Sequence, residues 1–279
     1  MIENKESQKL SNYLNMAIEN EMLVITEEFY TPNFWKKLLT TSYEKLGILV
    51  ETSGIFDESD RRQIAFVPKN YKELLVTDYP NKLLKIEVNT KFKEYEHKDF
   101  LGSLMGLNIK RELMGDLILI DNTAYIPVSD KIADYVILNL DKIGRASCII
   151  NVIDSKEEIP TYRFEDKIIV VASKRLDSIV SAITNISRSK VITPIEDGKI
   201  LIDYVEEKDK SKNIEIGSVI TIKGFGKYKL FCENGETKKG KEKILVKKYM
   251  ISFIKTQSTK DIITYFDKFY NAKICNILL

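Results

Sequence analysis

Between Leu83 and Val152 the apolar residues change their spacing in a fixed order, and that order restricts the fold more than any other stretch. Alternation at period two marks strands; recurrence at i, i+3, i+4 and i+7 marks helices. Leu83 to Val88 reads as a strand, Asp99 to Leu107 as a helix, and Leu117 to Ile120 with Ala124 to Val128 as a hairpin turning at Asp121-Asn122. Lys131 to Leu140 is then a helix and Ser147 to Val152 a strand. The order β-α-β-β-α-β is ferredoxin-like, an arrangement also used by many RNA-binding sheets. Those sheets stack bases on aromatic side chains, whereas these strands offer mainly Ile, Leu and Val, with Tyr125 the one stacking candidate.

On the amino-terminal side, Ser7 to Ile18 and Asn33 to Leu46 have helical spacing, and Pro32 fixes φ at the start of the second. Ile48 to Glu51 and Ile64 to Val67 are short strands. The loop between them, Ser53 to Arg62, sets Arg61 and Arg62 beside Asp57, Glu58 and Asp60, so it reads as neutralised within itself rather than as a phosphate grip. On the carboxy-terminal side, Leu176, Ile179, Val180 and Ile183 line one helix face. Ser187 stands where an N-cap would start a second helix carrying Val191, Ile192 and Ile195. Pro194 falls inside that helix, where it should kink or shorten it at a cost of about 3 kcal/mol. Asp197-Gly198 stops it, Lys199 to Asp203 has strand composition, and Gly217 to Lys229 gives two strands around Gly224 and Gly226. The expected fold is multidomain α+β: a mixed N-terminal domain over 1–76, a ferredoxin-like middle domain over 77–165 and a basic module over 168–249. An extension follows over 250–279, in which Ile262, Ile263, Phe266, Phe269 and Tyr270 are spaced as one amphipathic helix, expected to pack on its own chain.

Charge divides the chain. Residues 1–170 carry 22 Lys and Arg against 28 Asp and Glu, while residues 171–250 carry 17 against 11. A basic back half behind an acidic front fits one part meeting a polyanion. Cys148, Cys232 and Cys275 lie far apart without a CxxC pair, which argues against a metal site or disulfide framework. No apolar run reaches the length of a membrane span, and the expected setting is the cytoplasm, with no cofactor. The single histidine, His97, has no recognisable nucleophile near it and is expected, with Asp99, to cap the helix that follows.

Polyanion binding needs cations on one face and backbone N–H groups aimed outward. Lys174 and Arg175 at one helix start, with Arg188 and Lys190 at the next, supply both, the arginines being suited to a bidentate phosphate grip. Asp177 cannot hold phosphate; it would orient Arg175, cap the helix or accept from a ribose 2′-OH. The hairpin Lys223-Gly224-Phe225-Gly226-Lys227-Tyr228-Lys229 alternates charge with glycine and aromatics, leaving Phe225 and Tyr228 open between stacking and core roles. Lys238, Lys239, Lys241 and Lys243 add a basic loop, expected to be flexible and to supply affinity without sequence choice.

Arg175-Leu176-Asp177, Ser187-Arg188-Ser189-Lys190, Gly198-Lys199-Ile200 and Gly217 before a strand resemble the S-four RNA-binding domain, named after small-subunit ribosomal protein four. The run from His97 to Arg111, then Gly115-Asp116, resembles the middle domain of YlmH-type proteins; Phe29 to Pro32, the Ser53 to Arg62 loop and Thr237 to Lys241 extend the likeness. Lys98, Asn108, Ser53 and Ser218 depart from the usual residues. The resemblance implies a non-catalytic binder of structured RNA, either rRNA or tRNA, through an αL-type module that includes Ser187, Ser189 and Lys199. It further implies a setting on the large ribosomal subunit or on stalled peptidyl-tRNA complexes. An RNA-modifying enzyme that docks through the same module, and a cell-division-linked adaptor, are the alternatives.

Overall fold

The structure is a computed structural model that describes residues 2–71, 78–90, 93–154 and 158–250. The amphipathic pattern of 251–279 lies outside the described residues. Three sheets, each with its own apolar core, follow one another along the chain.

The first sheet has the order β1-β3-β2, from β1 (Val24–Ile25), β2 (Ile48–Ser53) and β3 (Gln63–Pro68), all antiparallel. Helices α1 (Ile2–Glu19) and α2 (Pro32–Thr40) accompany it, and Leu10 and Ala17 of α1 share a core with Tyr30, Ile48, Ile64 and Phe66. Strand β1 is a two-residue addition to the elements expected from the sequence. Helix α2 stops at Thr40, earlier than its spacing predicts: Thr41 is extended, and the Thr40 and Thr41 hydroxyls donate back to the Lys37 carbonyl.

The second sheet has the order β5-β6-β4-β8-β7, every pair antiparallel. Its elements are β4 (Asn81–Val88), α3 (His97–Gly106), β5 (Ile118–Ile120), β6 (Thr123–Ser129), α4 (Asp130–Asn139), β7 (Lys142–Ile143) and β8 (Ala146–Ile153). The short strand β7 is one element more than the sequence rhythm contains. The hairpin turns at Asp121-Asn122, with Ile120 facing Thr123. Side chains alternate on β4 and β6, so Leu84, Ile86, Ile126 and Val128 meet Phe100, Leu104, Ala133 and Val136 of the two helices. On the opposite face Tyr125 packs beside Leu83, Ile118 and Phe56, which takes it away from base stacking.

The third sheet runs β11-β10-β12-β13-β14-β9. Strand β9 (Phe164–Val171) enters first and pairs with the last strand, β14 (Glu242–Tyr249), along its whole length. Between them come α5 (Leu176–Thr184), α6 (Arg188–Glu196), β10 (Ile200–Ile202), β11 (Val205–Glu206), β12 (Val219–Ile222) and β13 (Gly226–Glu236). Leu176, Ile179, Val180 and Ile183 are all buried, each worth about 1.5–3 kcal/mol relative to exposure. Asn185, in the left-handed region at φ 58°, ends α5 one residue after Thr184 and turns the chain into α6. Pro194 stays inside α6, which ends two residues later, so the proline acts as a shortening signal near a helix end. Among the described residues no helix is long and apolar enough to cross a membrane.

Candidate nucleic-acid interface

The two helix starts of the third unit are tied together by one carboxylate. Asp177, on the first turn of α5, accepts from Arg188 Nη2 at 2.6 Å and from Arg175 Nε and Nη2 at 3.3 and 3.4 Å. It also accepts from the Ser178 backbone N–H at 2.8 Å. The Asp177 side chain is 8% exposed, whereas those of Arg175 and Arg188 are 41% and 50% exposed. Burial pushes the Asp177 carboxyl up, but the hydrogen bonds from Arg188 and Arg175 outweigh it and hold the group below the usual carboxylate range. Arg175 Nη2 also donates to Ser211 Oγ at 3.1 Å.

The backbone at these two starts differs. At α5 the Leu176 and Asp177 N–H groups donate to the carbonyls of Lys212 and Lys210, so the outward amides expected there are already used. At α6 the Lys190 and Val191 N–H groups bond the Ser187 carbonyl, while those of Arg188 and Ser189 have no acceptor among the described residues. Ser187 occupies the N-cap position, but its hydroxyl contacts Ser189 Oγ at 3.3 Å and makes no capping bond. The α6 start is therefore the one of the two that keeps free N–H donors, with exposed Arg188 and Lys190 beside them. Lys190, Lys223, Lys238, Lys239 and Lys241 are exposed and make no ion pair among the described residues. Lys199 is exposed and 3.1 Å from Asp197. Lys174 is withdrawn, its ammonium bonded to Glu233 with Glu242 3.6 Å away.

The basic hairpin splits into two fates. Lys223, Gly224 and Phe225 are exposed at the β12–β13 turn, with Gly224 at φ 88° and Gly226 at φ 115°, conformations that glycine adopts without strain. Phe225 is 44% exposed, while Tyr228 is buried and donates its hydroxyl to the Phe225 carbonyl at 3.0 Å; Tyr228 is the core residue of the two. Lys227 and Lys229, expected among the RNA contacts, are instead turned inward. Lys229 is bonded to Glu58 and Lys227 to Asp60, both acids of the Ser53 to Arg62 loop. Those acids thus neutralise the lysines of another unit, not the arginines beside them. Arg62 is held by the Ser59 carbonyl at 2.8 Å and lies 4.5 Å over Trp35. The Lys238 to Lys241 segment is a bonded hairpin turn, not a loose loop: Thr237 N–H donates to the Lys241 carbonyl at 2.8 Å, and Gly240 sits at φ 70°.

Around Lys227 the three units meet. Tyr204 and Tyr249 donate to the Asp60 carboxylate at 3.2 and 3.4 Å, and Lys227 Nζ donates to the Tyr204 hydroxyl at 3.0 Å and lies 4.2 Å over the Tyr249 ring. From the second unit Asp116 accepts the Asp60 and Arg61 backbone N–H groups at 2.6 and 3.0 Å. Burial pushes the Asp60 carboxyl up while Lys227 pulls it back. Burial likewise pushes Lys227 down, yet the adjoining Asp60 holds it well above the ordinary lysine range. His97 is at the edge of this cluster: burial lowers it, a bond to the Leu117 backbone opposes that, and Lys227 lowers it further. It does not cap α3. Asp99 does so, accepting the Glu96 N–H at 2.8 Å, and the His97 Nδ1 is buried without a partner.

Residues 75–157 match the family described as "Putative RNA-binding domain in YlmH". The middle unit is similar to the YlmH-type RNA-binding domain. The Bacillus subtilis (strain 168) protein named "Ribosome-associated protein quality control protein P2" is 28% identical over 193 residues, covering 69% of this chain and 75% of that protein. A solved structure, "Cell division protein ylmH from Streptococcus pneumoniae", aligns with a TM-score of 0.48 at 22% identity, over 57% of this chain and 96% of that one. Asp116, which directly follows the YlmH-type run His97 to Arg111 and Gly115, sits in the joint described above, as does the Ser53 to Arg62 loop. Sequence reasoning missed Lys210, Ser211 and Lys212, which lie against the start of α5; the alternating charges of Lys208 to Lys212 were the available signal.

Proposed function

We propose that this chain is a non-catalytic, ribosome-associated RNA-binding protein that grips structured RNA through the start of α6. The observation carrying this reading is the pair of unpartnered Arg188 and Ser189 amides framed by exposed Arg188 and Lys190, with Arg175 fixed beside them. Backbone donors at a helix start and side-chain cations act on the same phosphate. The YlmH-type middle domain, read as ferredoxin-like, and the relative named for ribosome-associated quality control support an RNA and ribosome setting in the cytoplasm. The third unit, read as S-four-type over 168–249, supplies the grip. Large-subunit rRNA and tRNA in stalled peptidyl-tRNA complexes are the targets this reading favours. Lys199, Lys223, Gly224, Lys238, Lys239 and Lys241 extend the cationic surface, and Phe225 is placed to stack on an unpaired base. With Lys174, Lys227 and Lys229 paired internally, about three to five phosphates are contacted. Titration of bulk ribosomal RNA should then give log K falling against log salt with a slope of about −2 to −4. A slope near zero would contradict the reading.

A further inference from the structure

The carboxylate in the middle of a cationic surface is out of place if charge alone is counted. Asp177 is buried, accepts from four N–H donors, and joins an arginine that precedes α5 to one that opens α6. Arg188 reaches it through Nη2, which leaves its remaining N–H groups for a ligand. Arg175 spends Nε and Nη2 on Asp177 and Ser211, which aims its Nη1. A guanidinium free to rotate loses side-chain entropy on every phosphate bond it forms, whereas one already held loses less.

We infer that Asp177 is a positioning residue for RNA recognition: it fixes Arg175 and Arg188 on one carboxylate, so that both guanidinium groups are held in place before they meet the phosphates of a folded RNA backbone. This rests on the reading of the α6 start as the RNA grip. It makes a prediction opposite in sign to simple electrostatics. Removing a negative charge from a polyanion-binding face should strengthen binding; removing Asp177 should weaken it, because the two arginines lose their common anchor. The same geometry requires arginine at 188, since a lysine keeps the charge but presents no fork.

The test is titration of the full-length protein with bulk ribosomal RNA and, separately, bulk tRNA, at one fixed salt concentration. Asp177→Asn is expected to bind about tenfold more weakly, and Arg188→Lys to lose nearly as much as Arg188→Ala. Because Asp177 is buried, circular dichroism and the unfolding midpoint of Asp177→Asn are recorded alongside. Arg188→Lys, at an exposed position, carries the test if the Asp177 variant is poorly folded. Tighter binding by folded Asp177→Asn, or Arg188→Lys equal to wild type while Arg188→Ala is weak, overturns the positioning role and leaves the RNA face standing. Arg188→Ala binding as tightly as wild type would instead remove the RNA face itself, as would failure of the wild-type protein to bind either RNA.

Discussion

Two basic stretches of the third unit, Arg175 to Lys190 and Lys223 to Lys229, have similar composition and opposite surroundings. In the first, Arg188 and Lys190 face outward and the only carboxylate among the cations is buried beneath them. In the second, Lys227 and Lys229 point into the molecule and meet Asp60 and Glu58 from a loop more than 150 residues earlier in the chain. A lysine on a strand next to another unit finds an acid before it finds a ligand. The difference separates exposure from joining: one stretch keeps its donors on the surface, where the proposed grip needs them, and the other ties the units together.

The contrast breaks first at the joint. Lys227→Ala leaves Asp60 buried beside Asp116 without its cation, and Asp60→Ala strands the ammonium; each is expected to cost about 3–5 kcal/mol in urea unfolding. Lys190→Ala, at an exposed and unpaired position, is expected to stay within about 0.5 kcal/mol of wild type in the same assay. Equal effects at the two sites would erase the distinction drawn between them. Its ribosomal RNA affinity should nevertheless fall, with the salt slope reduced in magnitude by about 1.

A smaller effect lies in acid. The folded state holds Asp177 below the ordinary carboxylate range, so it binds that proton more weakly than the unfolded chain does. The stability it contributes is complete above the unfolded value of about 3.9 and disappears as pH falls through the lower folded value. Asp177→Asn should flatten the acid side of the stability profile, measured as the urea midpoint between pH 5 and pH 2; an unchanged profile would show that the arginine cluster adds no pH-dependent stability.

Local signals carried much of the architecture. The periodicity of Leu83 to Val152 gives every long element of the second sheet, and the apolar faces of α5 and α6 follow from their spacing. What spacing does not encode is partnership across the chain. Nothing near Lys227 announces Asp60, so the hairpin reads as one cationic surface although its turn is exposed and its strand is engaged. The Leu176 and Asp177 amides are lost to a returning segment, Lys210 to Lys212, for the same reason. Tyr204 is a sharper case. It stands at φ 74° in the turn between β10 and β11, a conformation unfavourable for an aromatic residue. Its hydroxyl is held by Asp60 and Lys227, while Lys36 of the first unit donates to the adjacent Asp203 at 2.9 Å. Tertiary contacts override the local preference there.

Ultraviolet crosslinking of the full-length protein to ribosomal RNA, followed by mass spectrometry of the RNA-bearing peptides, tests the central claim most directly. Crosslinks within Ser187 to Lys190 and at the Lys223 to Phe225 turn, with none at Lys227 or Lys229, are the predicted result. Crosslinks at Lys227 and Lys229 without any at Ser187 to Lys190 would contradict it.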